Sequence, residues 1–120
     1  MRLLALILLG AFATAAAAEP RQVIGYAGAL GEWELVADVS EASTGEFPGS
    51  ATMTHVGLCT QDGPERKSGE ILLRVSGSRL NATLSLAGIA CTYNASLSDA
   101  YKGQIICPDR PPQPLTLWLR

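Results

Sequence analysis

The stretch Ile89 to Pro108, IACTYNASLSDAYKGQIICP, constrains the fold more than any other part of the chain. Apolar or half-apolar residues fall on odd positions in its first half (Ile89, Cys91, Tyr93, Ala95, Leu97) and again in its second (Tyr101, Gly103, Ile105, Cys107). Such alternation marks strands with one dry and one wet face. A reversal about Asp99 sets Leu97 opposite Tyr101, Ala95 opposite Gly103, Tyr93 opposite Ile105 and Cys91 opposite Cys107. In a non-hydrogen-bonded antiparallel pair the facing Cα atoms stand about 4.5 Å apart, at the short end of the disulfide range. The sequence therefore predicts a β-hairpin closed by a Cys91–Cys107 disulfide, with Cys59 as the odd thiol. The rival pairing joins Cys59 to one of the other two.

The same inward face continues upstream. Ile71, Leu73 and Val75 alternate, as do Leu80, Ala82, Leu84 and Leu86, and between the two runs Gly77-Ser78 suits a type II′ turn. A tight turn at Ala87-Gly88 then pairs Leu84 with Cys91 and Ala82 with Tyr93, so three consecutive strands agree on one core. Further back, Trp33, Leu35, Ala37 and Val39 alternate with Glu32, Glu34, Val36 and Asp38 in another half-buried strand. Ala51 to Leu58 reads as a strand with an undecided inward face, and Val23 to Tyr26 as a short one among loosening glycines. Ser40 to Ser50 reads as a loop by its Gly45, Pro48 and Gly49, and Thr60 to Ser68 as a charged, solvated loop. After Pro108, DRPPQP is a stiff connection, and Leu115, Leu117 and Leu119 alternate in a terminal strand. No helix is required. The fold class is all-β: an antiparallel meander of seven or eight strands, closed into a small barrel that leaves no exposed edge, with a β-sandwich as the alternative.

The first 18 residues stand apart. Arg2, an apolar run from Leu3 to Ala13, and Ala16-Ala17-Ala18 read as a signal peptide cleaved before Glu19. The uncharged stretch Leu3 to Ala18 is 16 residues, short of the ~20 that span a bilayer. Residues 19–120 are then one exported β domain, periplasmic or secreted, with no membrane attachment after cleavage. Without Arg2 the chain has eight basic and eleven acidic residues, a net charge of about −3, and no electrostatic attraction to nucleic acid or anionic membrane. An oxidising compartment suits paired cysteines better than a zinc site, and no C-x-x-C occurs.

Gly31-Glu32-Trp33, with Arg120 on the last strand, resembles the G-x-W and terminal basic residue of the calycins, the lipocalin and avidin-like barrels. The resemblance implies a meander barrel in which Trp33 closes one end and Arg120 lies across it. It carries no ligand, because no second lipocalin motif and no biotin-site residues are present. The leucine alternation also points Arg120 away from the core.

The chain offers little chemistry. His55 is its only histidine, with no G-x-S-x-G motif, so an enzyme is not expected and no catalytic residue, metal ligand or cofactor is assigned. Glu32, Glu34, Asp38, Glu41 and Glu46 read as a solvated face and loop, because a calcium site needs oxygens converging on one centre. Asn81-Ala-Thr and Asn94-Ala-Ser match the glycosylation sequon on outward faces. Three residues break the polar outer faces: Val36, Ile106 and Trp118. Closure of the meander is expected to bring them onto adjacent strands as one apolar patch, a surface for a protein partner or a homodimer. The competing arrangements have Val23 to Tyr26 covering them or intervening as an eighth strand, or Trp118 turned inward. The function expected is an exported binding module that recognises a macromolecular partner, a class that includes inhibitors of proteases and lysozyme. The alternative is a carrier of a small apolar ligand inside the barrel, although Ala82, Ala95, Gly103 and the leucines suit a narrow, filled interior.

Overall fold

Alternating apolar residues can be kept dry only if the strands curl until their inner faces meet, and eight strands are enough to close that curl around side chains. The computed structural model describes residues 19–60 and 63–120, the side chains of 57–60 excepted. Its strands are β1 (Arg21–Ala27), β2 (Trp33–Val39), β3 (Glu46–Thr60), β4 (Gly63–Ser76), β5 (Arg79–Leu86), β6 (Ile89–Leu97), β7 (Tyr101–Ile106) and β8 (Gln113–Leu119). Each pairs antiparallel with the next, and β8 returns to β1, so the sheet is a closed barrel and not a sandwich. The leader read over residues 1–18 and the side chain of Cys59 lie outside the described residues.

The middle of the barrel follows the sequence closely. Val75 faces Leu80, Leu73 faces Ala82 and Ile71 faces Leu84. Leu84 then faces Cys91 and Ala82 faces Tyr93, while Tyr93 faces Ile105 and Leu97 faces Tyr101. Cys91 and Cys107 are disulfide-bonded with Cα atoms 4.4 Å apart. The turns have the required backbone: Gly77 has φ 59°, and Ala87 and Gly88 have φ 51° and 80°, the two left-handed residues of a type I′ hairpin.

Three segments differ from expectation. The Val23–Tyr26 region is a full strand between β2 and β8; its alternation is weak because the inward position Gly25 has no room for a side chain against Leu117. The loop predicted over Ser40 to Ser50 ends at Gly45, and Pro48 and Gly49 are strand residues. Pro48, which has no amide hydrogen, joins the ladder through its carbonyl, which accepts the Ser40 N–H at 3.2 Å, and a Cβ on Gly49 would strike the Asp38 carbonyl. Glycine at that bend lets two backbones approach. The predicted loop Thr60 to Ser68 is largely the start of β4. The β2 ladder stops where the Val56 N–H meets the Glu32 carbonyl, and the β5 side stops near Ser68. Beyond these points β3 and β4 pair only with each other, out to Thr60 opposite Gly63, with a register shift between Thr54 and Cys59. A ribbon standing clear of the wall buries neither face, so it carries charges and no alternation.

The core comprises the inward positions of all eight strands, among them Val23, Leu35, Leu73, Leu80, Leu84, Tyr93, Leu115 and Leu117, all essentially inaccessible. Each such leucine contributes on the order of 1.5–3 kcal/mol by leaving water. Among the described residues no charged or strongly polar side chain is buried with them. Within the core the Tyr93 O–H donates to the Leu115 carbonyl at 2.7 Å and lies 3.1 Å from the Tyr101 carbonyl. Burial pushes its pKa up, which keeps the phenol protonated and able to donate.

Candidate interaction surface

A binding site in such a barrel is either inside, at a mouth, or on the outer wall. The inside is filled. The space beneath Trp33, against Met53, Leu86, Ile89 and the Cys91–Cys107 bridge, measures about 20 Å³. That is room for about one water molecule.

The mouth at that end is closed by Trp33, which is buried, with the His55 ring edge-on at 4.5 Å and the Lys67 ammonium 5.2 Å from the ring centre. Trp33 thus occupies the position the calycin resemblance implies, but its cation is Lys67. Arg120 is at the opposite mouth, exposed, among Glu19, Arg21, Glu41 and Phe47. The reason is strand direction. Trp33 opens β2, whereas β8 ends beside the beginning of β1, where the Arg120 N–H donates to the Gln22 carbonyl at 2.9 Å. The barrel closure assigned jointly to Trp33 and Arg120 is therefore not made.

His55 meets Trp33 edge-on, and its Nδ1 is buried without a hydrogen-bond partner. The acidic residues disperse: Glu32 accepts the Leu30 N–H at 3.0 Å, Glu41 accepts the Gly45 N–H at 3.1 Å, and Glu46 lies 3.9 Å from Arg74. Among the described residues no three His, Cys, Asp or Glu side chains converge as metal ligands would.

The outer wall holds the remaining candidate. Val36 on β2 faces Ile24 on β1, and Ile24 faces Trp118 on β8, so the three stand in one row across adjacent strands. Tyr26, two residues along β1, sets its ring edge against Trp118 at 6.1 Å. Tyr26 and Trp118 are 42% and 40% exposed; elsewhere on the outer wall Pro48 on β3 faces Leu72 on β4, an apolar pair that has no aromatic ring. Val36 and Trp118 are not on adjacent strands as expected: β1 intervenes, which was the competing arrangement, and fills the gap with Ile24.

Ile106 does not belong to this patch. Ile105 faces Gln113, which places Ile106 beside Pro112 just before β8, six residues from Trp118. At about 3.4 Å per residue that is roughly 20 Å along the strand. Adjacency of β7 and β8 was legible in the sequence; the offset between them was not, because the proline-rich connection is no tight turn. Ile24 and Tyr26 were missed for a related reason: the glycines around them hid the parity of β1. Compared with known proteins, the chain matches no protein family, no curated protein and no solved structure.

Proposed function

We propose that the chain is an exported binding module that recognises a macromolecular partner through the wall formed by Val36, Ile24, Trp118 and Tyr26. One contrast supports this reading: apolar side chains from all eight strands pack the interior, and the space beneath Trp33 is about 20 Å³, while ligand sites typically need roughly 300 Å³ or more. The adjoining apolar side chains are outside. The outer wall beyond them carries Arg74, Asn81, Thr83, Asn94, Lys102 and Gln104, the reverse of the apolar band that faces lipid in a membrane barrel. The Cys91–Cys107 bridge is consistent with an oxidising compartment.

Inhibition of a secreted enzyme is the form of recognition to test first, by titrating purified protein against a panel of secreted proteases and muramidases. The expected result is inhibition that Trp118→Ser weakens at least tenfold without changing the melting temperature. Inhibition that survives Trp118→Ser would overturn the assignment of this wall. One-to-one uptake of an apolar probe into the barrel would favour a carrier instead.

A further inference from the structure

The patch sits within a pattern of charge that matches a second copy of itself. The register places outward side chains of one height in rows across β2, β1 and β8, joined by β7 in the first row. The first row is Glu34, Tyr26, Thr116 and Lys102. The next is Val36, Ile24 and Trp118, and the third is Asp38 and Gln22, with Arg120 beside Gln22. The β2 edge of the patch is thus acidic, the β7–β8 edge basic, and the middle apolar. Among the described residues Glu34, Asp38, Lys102 and the Arg120 guanidinium have no ion-pair partner within the chain. Glu34 and Lys102 stand three strands apart, about 14 Å at ~4.8 Å per strand, too far to pair with each other.

We infer that this wall pairs with the same wall of a second copy, about a two-fold axis running along the strands between β1 and β8. The inference rests on the same surface as the binding reading above and names its partner. Rotation about that axis reverses the strand order and keeps the heights. Glu34 then meets Lys102 of the second copy, Tyr26 meets Thr116, and Ile24 meets Trp118, each contact occurring twice, as an isologous interface requires. Arg120 comes within side-chain reach of Asp38. The perpendicular axis instead brings the Glu34 row onto the Asp38 row and sets like charges face to face, so electrostatics selects the first arrangement. The wall is convex, so the centre touches first, and the gap that opens toward β2 and β7 is spanned by the long Glu34 and Lys102 side chains. Three rows across four strands cover roughly 14 by 14 Å, well below the ~800 Å² per partner of a stable complex. The dimer is therefore weak and reversible, with Kd between about 10 µM and 1 mM.

Sedimentation equilibrium of the purified protein up to about 1 mM tests this. The wild type should move from monomer to dimer and no further. Lys102→Glu and Glu34→Lys should each weaken the dimer at least tenfold, the combination of both should return it to within about threefold of wild type, and Trp118→Ser should abolish it. Melting temperatures of all variants show whether they fold, and these surface changes should leave them near wild type. A monomer at every concentration, a dimer indifferent to Trp118→Ser, an open-ended series of oligomers, or a charge swap no better than its single changes would each overturn the self-pairing. If the wild type stays monomeric while Trp118→Ser still destroys inhibition of an enzyme, self-pairing falls and the binding reading stands.

Discussion

Removing the Cys91–Cys107 bridge is the perturbation whose size follows most directly from the structure. The cysteines are 16 positions apart, and a closed loop of that length restricts the unfolded chain by about 3 kcal/mol. A domain of this size has about 5–15 kcal/mol of stability in all, so the bridge supplies a substantial share. At roughly 4–8 °C per kcal/mol, its loss lowers the melting temperature by about 12–24 °C. The fold itself should survive, because the β6–β7 ladder continues from Thr92–Ile106 to Leu97–Tyr101 without the cysteines. Cys91 is buried, so Cys91→Ala adds the cost of a small cavity that reduction alone does not. The assay is urea denaturation of three samples: oxidised protein, reduced protein, and the Cys91→Ala/Cys107→Ala variant. Reduced protein should lose about 3 kcal/mol, and the variant somewhat more. A loss below about 1 kcal/mol would refute the loop-entropy reasoning. Non-reducing peptide mapping that places Cys59 in the dominant bridge would refute the pairing itself.

Two further outcomes are expected. Trp33→Ala should cost about 3–5 kcal/mol, since the indole closes one mouth of the barrel beneath Lys67 and against His55. Melting within a few degrees of wild type would show that Trp33 is no core residue. For Tyr93, burial raises the folded-state pKa above the ordinary phenol value of 10.0. The protonated phenol then stabilises the fold fully below that pH, and the contribution is lost as pH rises above it, because the unfolded chain ionises first. Denaturation series at rising pH should therefore show wild type weakening more steeply above pH 10.0 than Tyr93→Phe; parallel curves would mean that the phenol is not buried.

Much of this fold could be read from the chain because a barrel wall with one dry face imposes a period of two on every strand that lies wholly within it. β4 beyond Gly69, β5, β6 and β7 obey that condition, and their turns at Gly77 and at Ala87-Gly88 fix the register residue by residue. The signal failed where the condition fails. β1 carries Gly25 at an inward position, and the outer parts of β3 and β4 leave the barrel altogether. Half of the candidate surface was legible for the same reason: Val36 and Trp118 are apolar on strands whose parity is clear. Ile24 and Tyr26 complete it from a strand whose parity is hidden, and Ile106 was wrongly grouped with it because an offset set by a proline-rich connection has no local signature. Arg120 was misplaced by an argument from family likeness that did not count strand directions.

The central claim is that the barrel is shut and its working face is the outer wall around Trp118. The chain has two tryptophans, one 8% and the other 40% exposed, so a Trp33→Phe variant reports on Trp118 alone. Acrylamide quenching of that variant, followed from dilute solution to high concentration and then with a bound partner, is the most direct measurement. The account predicts an indole open to the quencher in the dilute monomer and shielded once the wall is occupied. An indole already shielded in the dilute monomer, or equally open after binding, would contradict it.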